Sequence, residues 1–244
     1  MENKQPVVPY AQSGLGKKEQ VAQMFNNIAP RYDFLNRLLS LGIDRWWRWR
    51  AINQLKSKQP NTILDVATGT ADVAIAAMRL NPQNVTGIDI SEQMLEFGRE
   101  KVKKLNLQNK ITLLKADAEN LPFADNSFDA ITVAFGVRNF ENLQKGLAEL
   151  QRVLKPSGKL VVLEFSKPKI FPVKQVFNIY FKYILPLIGK VISKDSSAYT
   201  YLPESVQAFP EGKQFTHILQ QTGFKLTTCT PLTLGIASLY TAEK

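Results

Sequence analysis

The chain has 244 residues, 44% hydrophobic and 21% charged, a profile that supports a sizeable globular core and excludes a disordered or fibrous class. Lysine and arginine number 31 against 21 acidic residues, and the net charge of +10 favours an anionic partner without choosing among nucleic acid, acidic lipid and anionic cofactor. The single cysteine, Cys229, excludes an internal disulfide, and with a single histidine, His217, a Cys/His metal cluster is excluded too, so no metal is expected.

The opening MENKQPVVPYAQSG is polar and lacks the apolar core of a secretory signal. No run reaches the roughly 20 apolar residues that span a bilayer, so a cytoplasmic location is expected. Residues 1–16 read as a loose arm, and the helical periodicity of 17–58, broken at Pro30 and Gly42, predicts two or three helices. Within it RWWRWR, Arg45 to Arg50, reads as a helix with its aromatic side chains on the core and its arginines outside.

From Asn61 the pattern changes. The apolar runs TILDV, VTGIDI, ITLLKA, FDAITVAF and KLVVLEF alternate with helical stretches such as EQMLEFGREKVKKL and NLQKGLAELQRVL. Strands apolar on both faces belong in a covered parallel sheet, and strand-helix alternation builds right-handed crossovers. The closing FKLTTCTPLTLGIASLYTAE reads as two strands joined near Pro231, an antiparallel hairpin at one edge. The expected fold is therefore α/β, a doubly wound, mostly parallel seven-stranded sheet. Residues 1–60 form an N-terminal arm and helices, 61–244 the main unit, and the aromatic- and proline-rich 167–212 a cap insertion.

In such a sheet ligands sit beyond the carboxyl ends of the strands, where strand order reverses. Asp65, Gly69, Thr70, Asp89, Asp117 and Ala118 all fall at strand ends or in the first strand-to-helix turn. Gly69 lets backbone approach a ligand, and Asp89, twenty positions on, has the spacing of a ribose acceptor. The bland alternatives are plain turn chemistry at Gly69-Thr70 and a helix cap at Asp89, although Ser91 is the better cap. The single glycine does not supply the G-x-G-x-x-G that brings backbone against a pyrophosphate, and no P-loop lysine is present. S-adenosylmethionine, a nucleoside without a pyrophosphate, suits the looser turn, with Asp65 near its ammonium, Asp89 on its ribose and Asp117 on its adenine.

DVATGTAD, GIDIS and ADAENLPFADNSFDAITVAFGVRN resemble the class I S-adenosylmethionine-dependent methyltransferases, which have a Rossmann-like fold. YDFLNRLLSLGIDRWW, RVLKPSGKLVVLEFS and the closing GIASLYTAEK narrow the resemblance to the quinone-biosynthesis C-methyltransferases, from Val21 to Lys244. That resemblance implies methyl transfer to a ring carbon of a polyprenyl quinol, demethylmenaquinol first, with 2-polyprenyl-6-methoxy-1,4-benzoquinol as the alternative. It implies cofactor contacts at Thr70, Asp89, Asp117 and Ala118, and a quinol role for Arg138 and Asn139. For Arg138 the alternative is simple pairing with an acid such as Glu141. Tyr32 and Asp33 are expected to close over the ring. This chain departs from the family pattern at Ala71, where a second glycine is common and a helical position would make the change matter little. It also departs at Ala134 (serine), Asp44 (histidine) and Ser157 (glycine or methionine).

FPVKQVFNIYFKYILPLIGKVI, residues 171–192, is the most apolar stretch, interrupted at Lys182 and Pro186. It reads as a tunnel wall or a transient contact with the membrane surface, helped by Lys167, Lys169, Lys174, Lys182, Lys190 and Lys194; the alternative is a helix covering the sheet. His217 lies in a helix pattern before a glycine stop and reads as a packing or surface residue. An RNA methyltransferase is the rival within the fold, but the D/N-P-P-Y/F loop is absent and no nucleic-acid partner is expected. A non-catalytic membrane-surface protein that binds a nucleoside is the rival from another class. A homo-oligomer is left open.

Overall fold

The computed structural model describes residues 7–185, 187 and 197–244, so the expectations at Pro186, Lys190 and Lys194 lie outside the described residues. The seven strands are β1 (Thr62–Val66), β2 (Asn84–Asp89), β3 (Ile111–Lys115), β4 (Phe128–Ala134), β5 (Leu154–Phe165), β6 (Lys225–Leu232) and β7 (Ala237–Glu243). They form one sheet in the order β3-β2-β1-β4-β5-β7-β6, parallel except for β7, which runs antiparallel to both β5 and β6. Strand order therefore reverses between β1 and β4, and the carboxyl ends of those strands open the crevice where ligands bind in this architecture.

Helices cover both faces. The main-unit helices are α4 (Asp72–Ala77), α5 (Glu92–Lys104), α6 (Leu143–Val153) and, before β6, α9 (Lys213–Gln221). Alternation along β1 divides the core. Ile63 packs on one face with Val85, Leu95 and Val161, while Leu64 and Val66 pack on the other with Ile131, Leu147, Leu150 and Phe215. Ser91 caps α5 by accepting from the Met94 N–H at 3.2 Å, as its sequence position predicts. His217 is exposed on α9.

The N-terminal segment folds into α1 (Lys17–Ile28), a single 3₁₀ turn at Ala29–Arg31, α2 (Tyr32–Leu39) and α3 (Ile43–Asn53). Pro30 lies in the first break and Gly42, at φ +79°, is the second. The cap contributes α7 (Val173–Ile179), continued by a wider π-type turn through Ile184, and α8 (Ser197–Ala208). Val21, Met24, Ile28 and Leu35 of the N-terminal helices share a third apolar cluster with Leu185, Tyr199 and Tyr201 of the cap. Two separate parts of the chain thus roof the carboxyl ends of the strands together.

Three local readings need correction. The β6–β7 connection runs through Thr233–Ile236, and Pro231 lies inside β6, where an edge strand tolerates its missing N–H. Of the three tryptophans of α3 only Trp47 is buried, at 2% exposure, whereas Trp46 and Trp49 stay above 40%; Arg48 is the arginine that turns inward, pairing with Asp44 and, at 3.3 Å, with Asp72. Ala71 is not helical: it caps α4 at φ +67°, in the left-handed region where a Cβ is strained and glycine is not.

Ser157 is left-handed too, at φ +62°, and exposed near the start of β5, where the register against β4 is irregular. Ser157→Gly is expected to stabilise the fold by about 0.5–1 kcal/mol, the relieved strain less the added freedom of the unfolded chain. A denaturant midpoint that rises at constant slope agrees with this, and a lowered midpoint contradicts it.

Candidate active site

The turn from β1 into α4 is held in an unusual backbone path. Ala67, Gly69 and Ala71 are all left-handed, so the chain rises and falls over three alternate residues. The Thr68 N–H donates to the Ile88 carbonyl of β2 at 2.9 Å and the Ala71 N–H to the Thr68 carbonyl at 2.9 Å, which fixes the turn against the neighbouring strand. Gly136, two residues past the end of β4, supports it: a Cβ there would sit 2.5 Å from that of Ala67, so no other residue allows this approach without a backbone shift.

Asp65 lies beneath this turn. It is buried, its two carboxylate oxygens accept from the hydroxyls of Thr68 and Thr132, each at 2.6 Å, and it lines neither cavity described below. Burial pushes its carboxyl up to about 6, against the opposing pull of the Thr132 and Thr68 hydroxyls. The geometry is that of a girder for the turn.

Asp89, at the end of β2, accepts from the Gly69 N–H at 2.8 Å and the Ser91 N–H at 2.9 Å. Burial pushes its carboxyl upward while these two N–H groups favour the charged form. It faces a cleft lined also by Gly69, Ile90, Asp117, Ala118, Glu119, Asn139 and Phe140, all at the carboxyl ends of β1 to β4 or in the segments after them. Asp117 accepts from the ammonium of Lys18 on α1 at 2.6 Å and from the Glu119 N–H at 2.9 Å. Of the six cofactor residues read from the sequence, Gly69, Asp89, Asp117 and Ala118 meet in this cleft.

A second cavity, about 670 Å³, opens beside the cleft under the N-terminal helices and the cap. That volume is in the range of a site for a drug-sized ligand. Its walls are mostly apolar, with Met24, Leu35, Trp47, Phe165, Phe177 and Phe181 among them. The two spaces share Phe25, Tyr32, Ala67, Gly69, Ala134 and Phe135 as a common wall. Tyr32 of α2 stands over the turn, its ring 3.8 Å from where a side chain on Gly69 would begin. Ala134 has no side-chain donor or acceptor to offer that wall.

Arg138 lines the second cavity. It pairs with Glu164, not with Glu141: its Nη1 lies 2.8 Å from Glu164 Oε1, and the carboxylate has no solvent exposure. Burial pushes Glu164 upward while the Arg138 guanidinium holds it toward the charged form. Arg138 also donates from Nε to Ser205 Oγ at 3.3 Å and from Nη1 to the Phe135 carbonyl, and its guanidinium lies 5.7 Å from the Phe165 ring centroid. Asn139 lines the first cleft and accepts from the Tyr201 hydroxyl at 3.1 Å. Burial pushes that phenol up to about 12, so Tyr201 is a donor at neutral pH.

Thr70 and Asp33 bond to each other, the Thr70 hydroxyl donating to Asp33 at 2.6 Å. Lys101 of α5 joins them, 2.5 Å from Asp33 and 2.7 Å from Asp72. Thr70 faces the second cavity, not the first cleft, and Asp33 lines neither. Asp33 instead fastens α2 to the turn, which keeps Tyr32 over Gly69. Reading the sequence missed Lys18, Glu119, Glu164 and Tyr201. Only Glu164 left a signal, an acid inside the apolar run LVVLEF, since a buried carboxylate needs a partner.

The family model described as the ubiE/COQ5 methyltransferase family matches residues 14–244. A demethylmenaquinone methyltransferase of Bacteroides fragilis is 55% identical over 98% of this chain and 97% of its own length. One from Porphyromonas gingivalis is 45% identical over the full length of both. A ubiquinone/menaquinone biosynthesis C-methyltransferase UbiE of Geotalea daltonii is 50% identical, over 93% of this chain and 97% of that one. Among solved structures, a SAM-dependent methyltransferase from Thermotoga maritima shares the fold with a TM-score of 0.63 at 18% identity, covering 91% of this chain and 98% of that one.

Proposed function

Because the chain belongs to the ubiE/COQ5 methyltransferase family, we propose that it C-methylates demethylmenaquinol, using S-adenosylmethionine. The observation that carries this reading is the wall shared by a polar, acid-lined cleft and a large apolar cavity. A nucleoside-bound donor on one side and an aromatic acceptor on the other would meet across Gly69 and Phe135.

The first cleft fits the cofactor chemically. Asp89 presents carboxylate oxygens with lone pairs still open to ribose hydroxyls. Asp117 suits the exocyclic amine of adenine, Ala118 leaves space beside it, and Gly69 offers backbone without a side chain. Thr70 acts at one remove, by bonding Asp33, and Asp65 acts by holding the turn. When bound, S-adenosylmethionine supplies an electrophilic methyl group.

The chain's own work is to orient and to stabilise charge. A hydroquinone becomes a carbon nucleophile as a phenolic proton leaves and charge spreads onto the ring. Arg138, with its fixed guanidinium on the second cavity, stabilises the oxygen on which that charge rests. Asn139, oriented by Tyr201, supports the donor side of the wall. Tyr32 and Phe135 confine the ring and exclude water from the reacting atoms.

The prenyl tail leaves through the mouth of the second cavity. The two segments at that mouth, joined by the Tyr180 hydroxyl donating to the Leu39 carbonyl at 2.9 Å, are apolar and exposed. Leu41 is 92% exposed and Phe171 77%, with Phe34, Ile170, Val176 and Ile179 beside them in sequence. Exposed Arg37, Arg45, Lys169, Lys174 and Lys182 belong to the same segments. Among the described residues no helix is long and apolar enough to cross a membrane. This composition suits shallow seating on an anionic bilayer, from which a prenylated substrate reaches the cavity directly.

The test presents long-tail demethylmenaquinol in anionic and in zwitterionic phospholipid vesicles, with 2-polyprenyl-6-methoxy-1,4-benzoquinol in parallel. Faster methylation in anionic vesicles, reduced by salt, is expected, with the naphthoquinol preferred. Equal rates in both lipids contradict the seating, and equal use of the benzoquinol would make this a dual-substrate enzyme.

A further inference from the structure

The Arg138–Glu164 pair carries an inference that rests on the quinol role of Arg138 above. Glu164 is the penultimate residue of β5 and has no solvent exposure. Nothing in the sheet calls for an acid there. Its neighbours along the strand, Val162, Leu163 and Phe165, are apolar, and it stands opposite Ser238 of β7. Burying a carboxylate is unfavourable unless a partner satisfies it, so the arrangement needs a reason.

The bonds identify that reason. Glu164 Oε1 accepts from Arg138 Nη1 at 2.8 Å and from the Phe165 N–H at 2.9 Å, and Oε2 accepts from the Arg138 N–H at 3.4 Å. One carboxylate therefore grips the side chain and the backbone of the same residue. A guanidinium has five N–H donors. In Arg138, Nε is taken by Ser205, and Nη1 by Glu164 and the Phe135 carbonyl. Nη2 has no acceptor among the described residues, and Arg138 lines the apolar cavity. The inner part of the fork is locked, and one arm remains to give.

We propose that Glu164 is a positioning residue: it fixes Arg138 so that Nη2 is presented to the quinol oxygen, and it has no contact with substrate or cofactor of its own. An arginine tethered on one side by a carboxylate delivers a donor at a set angle, which an untethered side chain cannot do without losing rotamer freedom at each turnover. Removing the tether should therefore lower kcat more than it changes the KM for quinol.

The experiment combines Glu164→Gln, which keeps the shape and removes the charge, with Arg138→Ala in all combinations. It measures kcat, quinol KM and the cofactor Kd by calorimetry. Glu164→Gln alone is expected to lower kcat about tenfold or more with the cofactor Kd within about twofold, and to add nothing once Arg138 is gone, since residues acting as one unit are not additive. Wild-type kcat in Glu164→Gln overturns the proposal, as does a further tenfold loss when it is added to Arg138→Ala. If Arg138→Ala itself turns over normally, the quinol role of Arg138 fails and the positioning role falls with it; if only Glu164→Gln is neutral, the positioning role alone fails. Should either variant not fold, Arg138→Met is compared with Arg138→Met/Glu164→Met, in which no charge is left unpaired. Equal kcat supports the proposal, and a lower kcat in the double variant overturns it.

Discussion

Replacing Arg138 by alanine is expected to lower kcat by about 10²–10³ while the cofactor Kd stays within about twofold. That is the usual scale for losing one preorganised donor at a site where negative charge develops. The selectivity follows from position. Arg138 lines the apolar cavity and is absent from the lining of the acid-lined cleft where the cofactor is proposed to sit. The substitution also strands the buried carboxylate of Glu164, which destabilises a fold by about 3–5 kcal/mol when a partner is removed. Rates are therefore compared at a temperature where circular dichroism finds both proteins folded. Parallel losses in turnover and in cofactor affinity would assign Arg138 to holding the turn that joins the two spaces and remove it from the chemistry.

Asp89→Ala is expected to act on the other side of the wall, raising the cofactor Kd about 10- to 100-fold. Hydrogen bonds to a charged acceptor contribute about 1.5–3 kcal/mol, and each 1.4 kcal/mol is tenfold in binding. Two effects add here. The ribose loses its acceptor, and Gly69, whose N–H is held by Asp89 at 2.8 Å, loses the tether that sets its approach. Turnover at saturating cofactor should fall much less than affinity. Calorimetric titration with S-adenosylhomocysteine measures this directly, and an unchanged Kd would remove Asp89 from the site.

The sheet was largely legible in the sequence because its signals are local. Apolar runs flanked by turn residues mark parallel strands whatever they pack against, and Ser91 announces the start of α5 by its own chemistry. The breaks at Pro30 and Gly42 were legible for the same reason. Where a residue's meaning depends on a partner distant in the chain, the sequence was silent. Lys18 meets Asp117 across 99 positions, and Tyr201 meets Asn139 across 62.

Asp65 and Asp33 show the converse. Both are acids at the expected element ends, yet Thr68 and Thr132 take the first, and Thr70 and Lys101 take the second. A strand-end carboxylate is open to a ligand only if no nearby hydroxyl or ammonium reaches it first, and that is a matter of side-chain geometry. Ala71 failed differently. A left-handed φ leaves no mark on the sequence when the residue there is not glycine, so its strain became visible only in the backbone.

The measurement that tests the central claim most directly is methyl transfer from labelled S-adenosylmethionine to reduced short-tail demethylmenaquinol, with the oxidised quinone and an RNA pool as parallel acceptors. The account predicts label in the quinol alone, lost when the quinone is kept oxidised, because only the electron-rich ring can attack. Label in RNA without label in the quinol would contradict it, and would mean that the basic surface serves a nucleic acid.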